Sequence, residues 1–341
     1  MIALDATYSL DEAPSGVGLY SREILAGLAA AHPEEAFRFC YRPHKYWRAR
    51  AIPRPQNVQH GLLAEPWGPR SAALFHGLNQ RLPRIRLRRT VATFHDLFVM
   101  TGEYSTPEFR ARFTQQAREA AARADAIVAV SAFTKSQVES LLGVPASRVR
   151  AIHHGTRVLR FPAVKREQIV LSVGAIQKRK NIARLVEAFE AVGADWNLVL
   201  AGAAGFGSEQ ILAGIEKSPA RARISVLGYV SAEDLGQWYA RAMVFAFPSL
   251  DEGFGMPLLE AMAAGAAVVT SNRSALPEVA GDAALLVDPE DTAALAAALC
   301  EITGSDSLRA ELARRGSARA REFTWEKAVR ETWDVYRDLL G

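Results

Sequence analysis

The residues best equipped for chemistry lie in one run, Asp251-Glu252-Gly253-Phe254-Gly255-Met256-Pro257-Leu258-Leu259-Glu260-Ala261-Met262. It follows an apolar, strand-like stretch and opens a helical one. Glycines at 253 and 255 let a main chain approach a ligand closely, and Pro257 suits the first turn of a helix. The amides at such a helix start can hold an anion, for which a diphosphate is the natural occupant. Glu252 and Glu260 frame the turn with seven residues between them. One precedes the helix and the other falls in its first turn, so both sit near its mouth. A carboxylate accepts two hydroxyl hydrogen bonds at once, which suits the diols of a sugar and a ribose. The plain alternative is a capping Glu252 and a Glu260 that offsets the helix dipole.

Arg179 and Lys180 follow the strand-like Ile169-Val170-Leu171-Ser172-Val173 and precede a helical stretch from Ala183 to Ala191. That position faces the carboxyl ends of a parallel sheet, where open α/β folds bind ligands. An Arg-Lys pair is by itself usually a solvated loop, and this position favours a ligand-binding one. Gly16-Val17-Gly18 falls between the first strand and the first helix, so its amides could touch a sugar or phosphate; two such glycines also serve an ordinary turn. His95 follows a strand ending at Phe94, and loops beyond strand ends host sites.

Placing these groups takes two sheets. Apolar runs at residues 2–4, 37–40, 90–94 and 126–130 alternate with helical spacing over 18–31 and 107–124. This is the pattern of a doubly wound α/β domain with a parallel sheet. It restarts with runs at 169–173, 197–201, 224–227, 244–247 and 267–270. A boundary is expected near Val158 to Lys165, where Pro162 interrupts any helix, which divides the chain into residues 1–162 and 163–322. A final helix over 323–341 enters through Thr324 as its cap. With Trp325, Val329, Trp333 and Tyr336 on one face, it is expected to pack back on the first domain.

A chain of 341 residues exceeds one usual core. Its 49% hydrophobic and 23% charged residues exclude a disordered or fibrous protein. Charge is uneven: residues 1–160 hold 22 Lys+Arg against 13 Asp+Glu, and the remainder 19 against 24. The densest basic stretches, Arg42 to Arg54 with Tyr46 and Trp47 among them and Arg81 to Arg89, could meet anionic lipid or a phosphorylated acceptor, or form a solvated surface. They lack a recognisable nucleic-acid module, so no such partner is expected. The start of the chain has no basic leader, no long apolar segment appears, and Cys40 and Cys300 lie far apart. These features predict a cytoplasmic protein, at most peripheral at the inner membrane face.

The run from Leu250 to Ala264 resembles the donor-site signature of the retaining glycosyltransferases of family four, two-domain enzymes of the GT-B fold. Further stretches match in order: Pro14-Ser15-Gly16-Val17-Gly18-Leu19-Tyr20, Phe94-His95-Asp96-Leu97, Val130-Ser131-Ala132-Phe133-Thr134-Lys135, Arg179-Lys180-Asn181, Leu227-Gly228-Tyr229-Val230 and Leu276-Pro277-Glu278-Val279-Ala280-Gly281-Asp282. The likeness covers nearly the whole chain and is greatest to the mannosyltransferase-like branch of bacterial polysaccharide assembly. It implies two doubly wound Rossmann-like domains facing across a cleft that closes on the donor. It also implies transfer of a hexose, with GDP-mannose favoured over UDP- or dTDP-sugars, to a glycan or lipid-linked acceptor.

By the same resemblance Arg179 and Lys180 pair with the donor diphosphate, and Gly174, Gly16, Val17, Gly18 and the run Glu252 to Leu258 with Glu260 contact the nucleotide sugar. Gly228, Tyr229 and Val230 frame the base, and His95 aids transfer by a hydrogen bond beside the sugar. Two positions depart from the pattern. Ala175 stands after Gly174 where the family often has arginine, and His154-Gly155 replaces the common asparagine-glycine. His153 and His154 are adjacent, which points their side chains apart and argues against a metal site. The mechanism implied is a front-face, retaining transfer without a metal or other cofactor: no Asp-x-Asp occurs, and fixed cations take the place of magnesium. A nucleotide-sugar epimerase of the same architecture, or a non-catalytic sugar-nucleotide-binding protein, stands as the alternative.

Overall fold

A computed structural model describes residues 1–11, 15–157 and 159–341. Pro14 of the glycine stretch and Val158 of the expected boundary lie outside them. The chain forms two units, Met1–Gly155 with Thr324–Gly341, and Thr156–Phe323. The division thus falls at residue 155 rather than at 162. The cause is local: the Thr156 N–H donates to Phe323 O at 3.0 Å and its hydroxyl to Ala320 O at 3.0 Å, which ties the connecting segment into the second unit.

The first unit has a seven-stranded sheet. Its strands are β1 (Ile2–Asp5), β2 (Phe37–Tyr41), β3 (Val58–Leu62), β4 (Leu74–Gly77), β5 (Thr90–Phe94), β6 (Ala126–Ala129) and β7 (Val149–Ala151), all parallel in the order β3-β2-β1-β4-β5-β6-β7. Three of them escape a search for apolar runs. β3 reads Val-Gln-His-Gly-Leu and buries only Val58, as an edge strand does. β4 has two apolar residues before His76 and Gly77, yet all four are buried, and β7 is three residues long. The helix Trp325–Leu340, capped by the Thr324 hydroxyl on the Lys327 N–H, buries Trp325, Val329 and Tyr336 in this unit's core. Its amphipathic spacing needs such a partner, because propensity alone leaves a helix of this length marginal in water.

The second unit has a six-stranded parallel sheet, β8 (Glu167–Val173), β9 (Asn197–Ala201), β10 (Ile224–Gly228), β11 (Ala242–Phe247), β12 (Ala267–Ser271) and β13 (Leu285–Val287), in the order β10-β9-β8-β11-β12-β13. β13 is the one strand here that the apolar runs do not announce. Strand order reverses between β8 and β11, which pair directly. Such a reversal opens a crevice at the carboxyl ends of the strands. Among the described residues, no helix is long and apolar enough to cross a membrane.

Candidate active site

At the carboxyl end of β8 the chain turns through Gly174, whose φ of +140° is a conformation that side-chain-bearing residues avoid. A β-carbon on Gly174 would stand 3.1 Å from Lys180 Cε, so the glycine also leaves room for that lysine to lie across the strand end. A single tight turn, Lys178–Lys180, follows, and Asn181 ends it in the left-handed region with φ of 59°. The Asn181 side-chain amide donates to Pro248 O at 3.1 Å and Pro289 O at 2.6 Å, and the Leu250 N–H donates to Arg179 O at 2.8 Å. These bonds fasten the turn beside the carboxyl end of β11.

There Glu252 receives both cations on one oxygen. Lys180 Nζ is 2.5 Å and Arg179 Nη1 3.0 Å from Glu252 Oε1, and all three side chains are at most 10% exposed. Arg179 also donates to the Asp251 main-chain oxygen, and Lys180 Nζ sits 4.5 Å from the centre of the Phe247 ring. Burial alone would push the Glu252 carboxyl up. The charges of Arg179 and Lys180, with the hydrogen bond from Lys180, overcome that and hold it at about 2. The loop is fixed from its other side, where the Glu252 N–H donates to Ser274 Oγ at 3.1 Å and the Ala275 N–H to Glu252 O at 3.2 Å.

Gly255, with φ of +104°, is the N-cap of the helix Met256–Ala263, and Pro257 sits in its first turn. Glu260 is the fifth residue of that helix, in its second turn rather than its first. It does not join the Arg179–Lys180–Glu252 cluster; it accepts from Tyr239 OH at 2.8 Å and faces Arg157 Nη1 at 3.9 Å. Burial raises its carboxyl to about 7 against the pull of Tyr239 and Arg157. The loop before the helix thus carries a buried acid, Glu252, that is ionised at neutral pH, and the helix carries another, Glu260, that is poised to titrate there. Of the base-framing stretch, Gly228 has φ of +68° and Tyr229 is 67% exposed, its ring open to solvent.

In the first unit Gly16, Val17 and Gly18 form the opening turn of the helix Gly16–Ala31, and the Gly18 N–H is taken by the Ser15 hydroxyl at 3.4 Å. His95 lies just past β5, buried, with its ring edge-on to Tyr20 at 4.8 Å and to His154 at 5.5 Å. Its Nε2 is 3.0 Å from Leu78 O. A carbonyl can only accept, so Nε2 carries the proton and Nδ1 presents a lone pair. Burial pushes the His95 imidazole down to about 4, partly offset by that bond, so the ring is neutral at physiological pH. Behind it, His76 bridges Thr93 Oγ1 at 2.8 Å and Tyr336 OH at 2.5 Å. Ser131 caps the helix Ala132–Leu142 through the Thr134 N–H. Among the described residues no three His, Cys, Asp or Glu side chains group as a metal site would require.

Sequence reasoning names Asn181 in a matching stretch but gives it no role, and overlooks Tyr239 and Arg157. Asn181 carries a usable signal, since it directly follows the two cations and asparagine tolerates the left-handed conformation. Tyr239 and Arg157 meet Glu260 only through the tertiary fold.

Residues 159–319 match the family described as Glycosyl transferases group 1, and residues 69–158 match Glycosyltransferase Family 4. The chain is 32% identical to the O-antigen chain mannosyltransferase B of Escherichia coli, over 95% of this chain and 96% of that protein. It is 28% identical to the serotype-specific mannosyltransferase WbdA of the same organism over 74% of this chain, which spans about a third of WbdA's length (34%). Among solved structures it is similar in fold to sucrose-phosphate synthase from Thermosynechococcus elongatus, with TM-score 0.79, 22% identity and coverage of 99% and 98% of the two chains. It is also similar to WaaG, a glycosyltransferase involved in lipopolysaccharide biosynthesis, with TM-score 0.69, 15% identity and coverage of 98% and 99%.

Proposed function

Because the chain belongs to the family 4 glycosyltransferases of GT-B fold, we propose that it transfers mannose from GDP-mannose, with retention of anomeric configuration, to a growing glycan of a bacterial polysaccharide, free or lipid-linked. Support for the donor sugar comes from similarity along nearly the whole chain to O-antigen chain mannosyltransferase B. The observation that carries the chemistry is the buried set of Arg179, Lys180 and Glu252 at the strand reversal of the second unit.

In this reading a diphosphate draws Arg179 and Lys180 onto its oxygens, joined by the amides that open the helix Met256–Ala263. Glu252, freed from both cations, accepts hydroxyl hydrogen bonds from the sugar. The glycosidic carbon–oxygen bond to phosphate breaks through an oxocarbenium-like state, and the acceptor hydroxyl attacks from the face that the phosphate leaves. Its proton passes to a phosphate oxygen. No protein nucleophile and no metal take part, because the two fixed cations neutralise the departing diphosphate. Neutral His95, with its free Nδ1 lone pair, accepts a hydrogen bond from the transferred sugar. Glu260 holds the ribose, and Gly228 to Val230 frame the base. The basic first unit keeps the enzyme at an anionic membrane face, where lipid-linked acceptors reside.

The test is incubation of purified protein with GDP-mannose, UDP-glucose and dTDP-glucose in turn, with a mannose-terminated acceptor, followed by proton NMR of the product. An α-mannoside formed from GDP-mannose supports the reading. A β-linked product overturns retention, and turnover with only another donor overturns the choice of sugar.

A further inference from the structure

Residues 36–95 contain twelve Lys and Arg and a single acid, Glu65. In the fold this stretch supplies β2 and β3 at one edge of the first sheet, β4 and β5 further in, and the connections around them. Charge of one sign at this density needs a counter-charge, and the chain provides little: Arg50 and Arg70 are exposed and form no ion pair among the described residues.

The same edge exposes large apolar side chains. Trp47 and Trp67 are each 74% exposed, Ile52 44% and Leu62 37%. The first two are brought to the same end of the sheet by strand register. Tyr41 pairs with Leu62, and the Leu63 N–H donates to Tyr41 O at 2.8 Å, so the two chains leave β2 and β3 side by side. One enters the helix Pro43–Arg50, which carries Trp47. The other enters a turn closed by the Ala64 N–H on Trp67 O at 3.2 Å. Pro43, Ala64 and Gly68 line one cavity between these two segments. The Arg50 guanidinium stands 5.8 Å from the Trp47 ring, so cation and indole are presented together.

Exposed tryptophans with arginines beside them, and Glu65 as the one acid in the two segments, fit the headgroup layer of a bilayer. There an indole buries its apolar body while its N–H stays hydrated, and arginines meet lipid phosphates. We propose that the helix Pro43–Arg50 and the turn at residues 62–68 form a membrane-docking face that inserts Trp47 and Trp67 among the headgroups of an anionic bilayer, with Arg48, Arg50 and Arg70 on lipid phosphates. This inference gives residues to the membrane association proposed above and rests on that reading for its acceptor side; it does not depend on the donor or on retention.

The experiment is flotation of the full chain with vesicles of phosphatidylcholine alone or of equimolar phosphatidylcholine and phosphatidylglycerol. The expected result is binding to the mixed vesicles, little to the neutral ones, and release as salt rises. The double variant Trp47→Ala/Trp67→Ala should bind the mixed vesicles about tenfold more weakly, and Arg48→Ser/Arg50→Ser should lose the preference for anionic lipid. Equal binding to both vesicle types by the unaltered protein, or unchanged binding by the tryptophan variant, overturns the proposal. So does a doubling of mass by light scattering that the tryptophan substitutions abolish, which would assign the face to a second copy. Donor-nucleotide binding by the same variants, read by calorimetry, should stay at the unaltered level and reports on the glycosyltransferase reading separately. The salt dependence of the unaltered protein needs no variant to fold.

Discussion

Lys180 Nζ meets the same oxygen of Glu252, Oε1, that Arg179 approaches from 3.0 Å, at the shorter distance of 2.5 Å. In the function proposed above, these two buried cations exchange that carboxylate for a more highly charged anion. Lys180→Ala should therefore lower kcat by about a hundredfold or more, the size expected when a fixed donor to a developing anion is lost. Arg179 remains to partner Glu252, so the cost in stability should be about 2 kcal/mol. Steady-state kinetics beside thermal denaturation separates the effects, and near-normal turnover in a folded variant would falsify the assignment.

Glu260 behaves in the opposite way to Glu252. Its folded-state value of about 7 lies above the ordinary 4.5, so the folded protein holds this proton more tightly than the unfolded chain does. The associated stability is full below pH 4.5 and is lost as pH rises through 7. Glu260→Gln keeps an acceptor for Tyr239 and removes the ionisation. Relative to the unaltered protein, the variant should gain stability on going from pH 5 to pH 8, by on the order of 2 kcal/mol. Urea melts at the two pH values measure it, and a gain of the same size at both would show that Glu260 does not titrate in this window.

His95 is neutral well below physiological pH because burial holds its imidazole near 4. Turnover should then show no histidine limb between roughly pH 5 and 8, and His95→Ala should reduce kcat by about a hundredfold. An acid limb centred near 6.5 in the unaltered enzyme, absent from the variant, would mean that the ring titrates freely.

Metal dependence has a direct measurement. If Arg179 and Lys180 neutralise the leaving diphosphate, dialysis against EDTA should leave kcat unchanged within experimental error. A loss that magnesium restores would transfer that role to a cation.

Tyr336→Phe removes the hydroxyl that meets His76 Nδ1 and leaves a buried nitrogen without its partner. The expected cost is about 1–2 kcal/mol, since an unsatisfied buried group loses its full desolvation free energy. His76 is itself held near 3 by burial and by the neighbouring His95 charge, below its unfolded 6.5. The unfolded chain therefore takes up this proton first, and stability should fall as pH drops from 6.5 toward 3. Calorimetry from pH 7 to 5 reads both effects.

The turn at Arg179–Lys180 and the loop from Glu252 to Pro257 were legible in the sequence because glycines, a proline and charged residues act there through short-range geometry. Gly255 takes a positive φ at a helix start, and Arg179 and Lys180 sit in a tight turn at a strand end, both written within a few residues. Strands with an apolar run announce themselves for the same reason, whereas β3, β4, β7 and β13 are too short or too polar and become strands only by pairing. The surroundings of Glu260 could not be read. Tyr239 and Arg157 reach it from distant parts of the chain, and a helical glutamate looks the same whether it offsets a dipole or lies buried beside a phenol.

The first unit is made of two pieces, and Thr324–Gly341 is separated from Met1–Gly155 by the whole of Thr156–Phe323. Translation delivers the second unit's sequence without interruption, while the first must wait for Trp325, Val329 and Tyr336 to leave the ribosome before its core can close. During synthesis the second unit is thus able to fold first, and a nascent chain stalled before Thr324 should expose the apolar faces of β6 and of the helix Gly16–Ala31 to chaperones until the missing helix emerges.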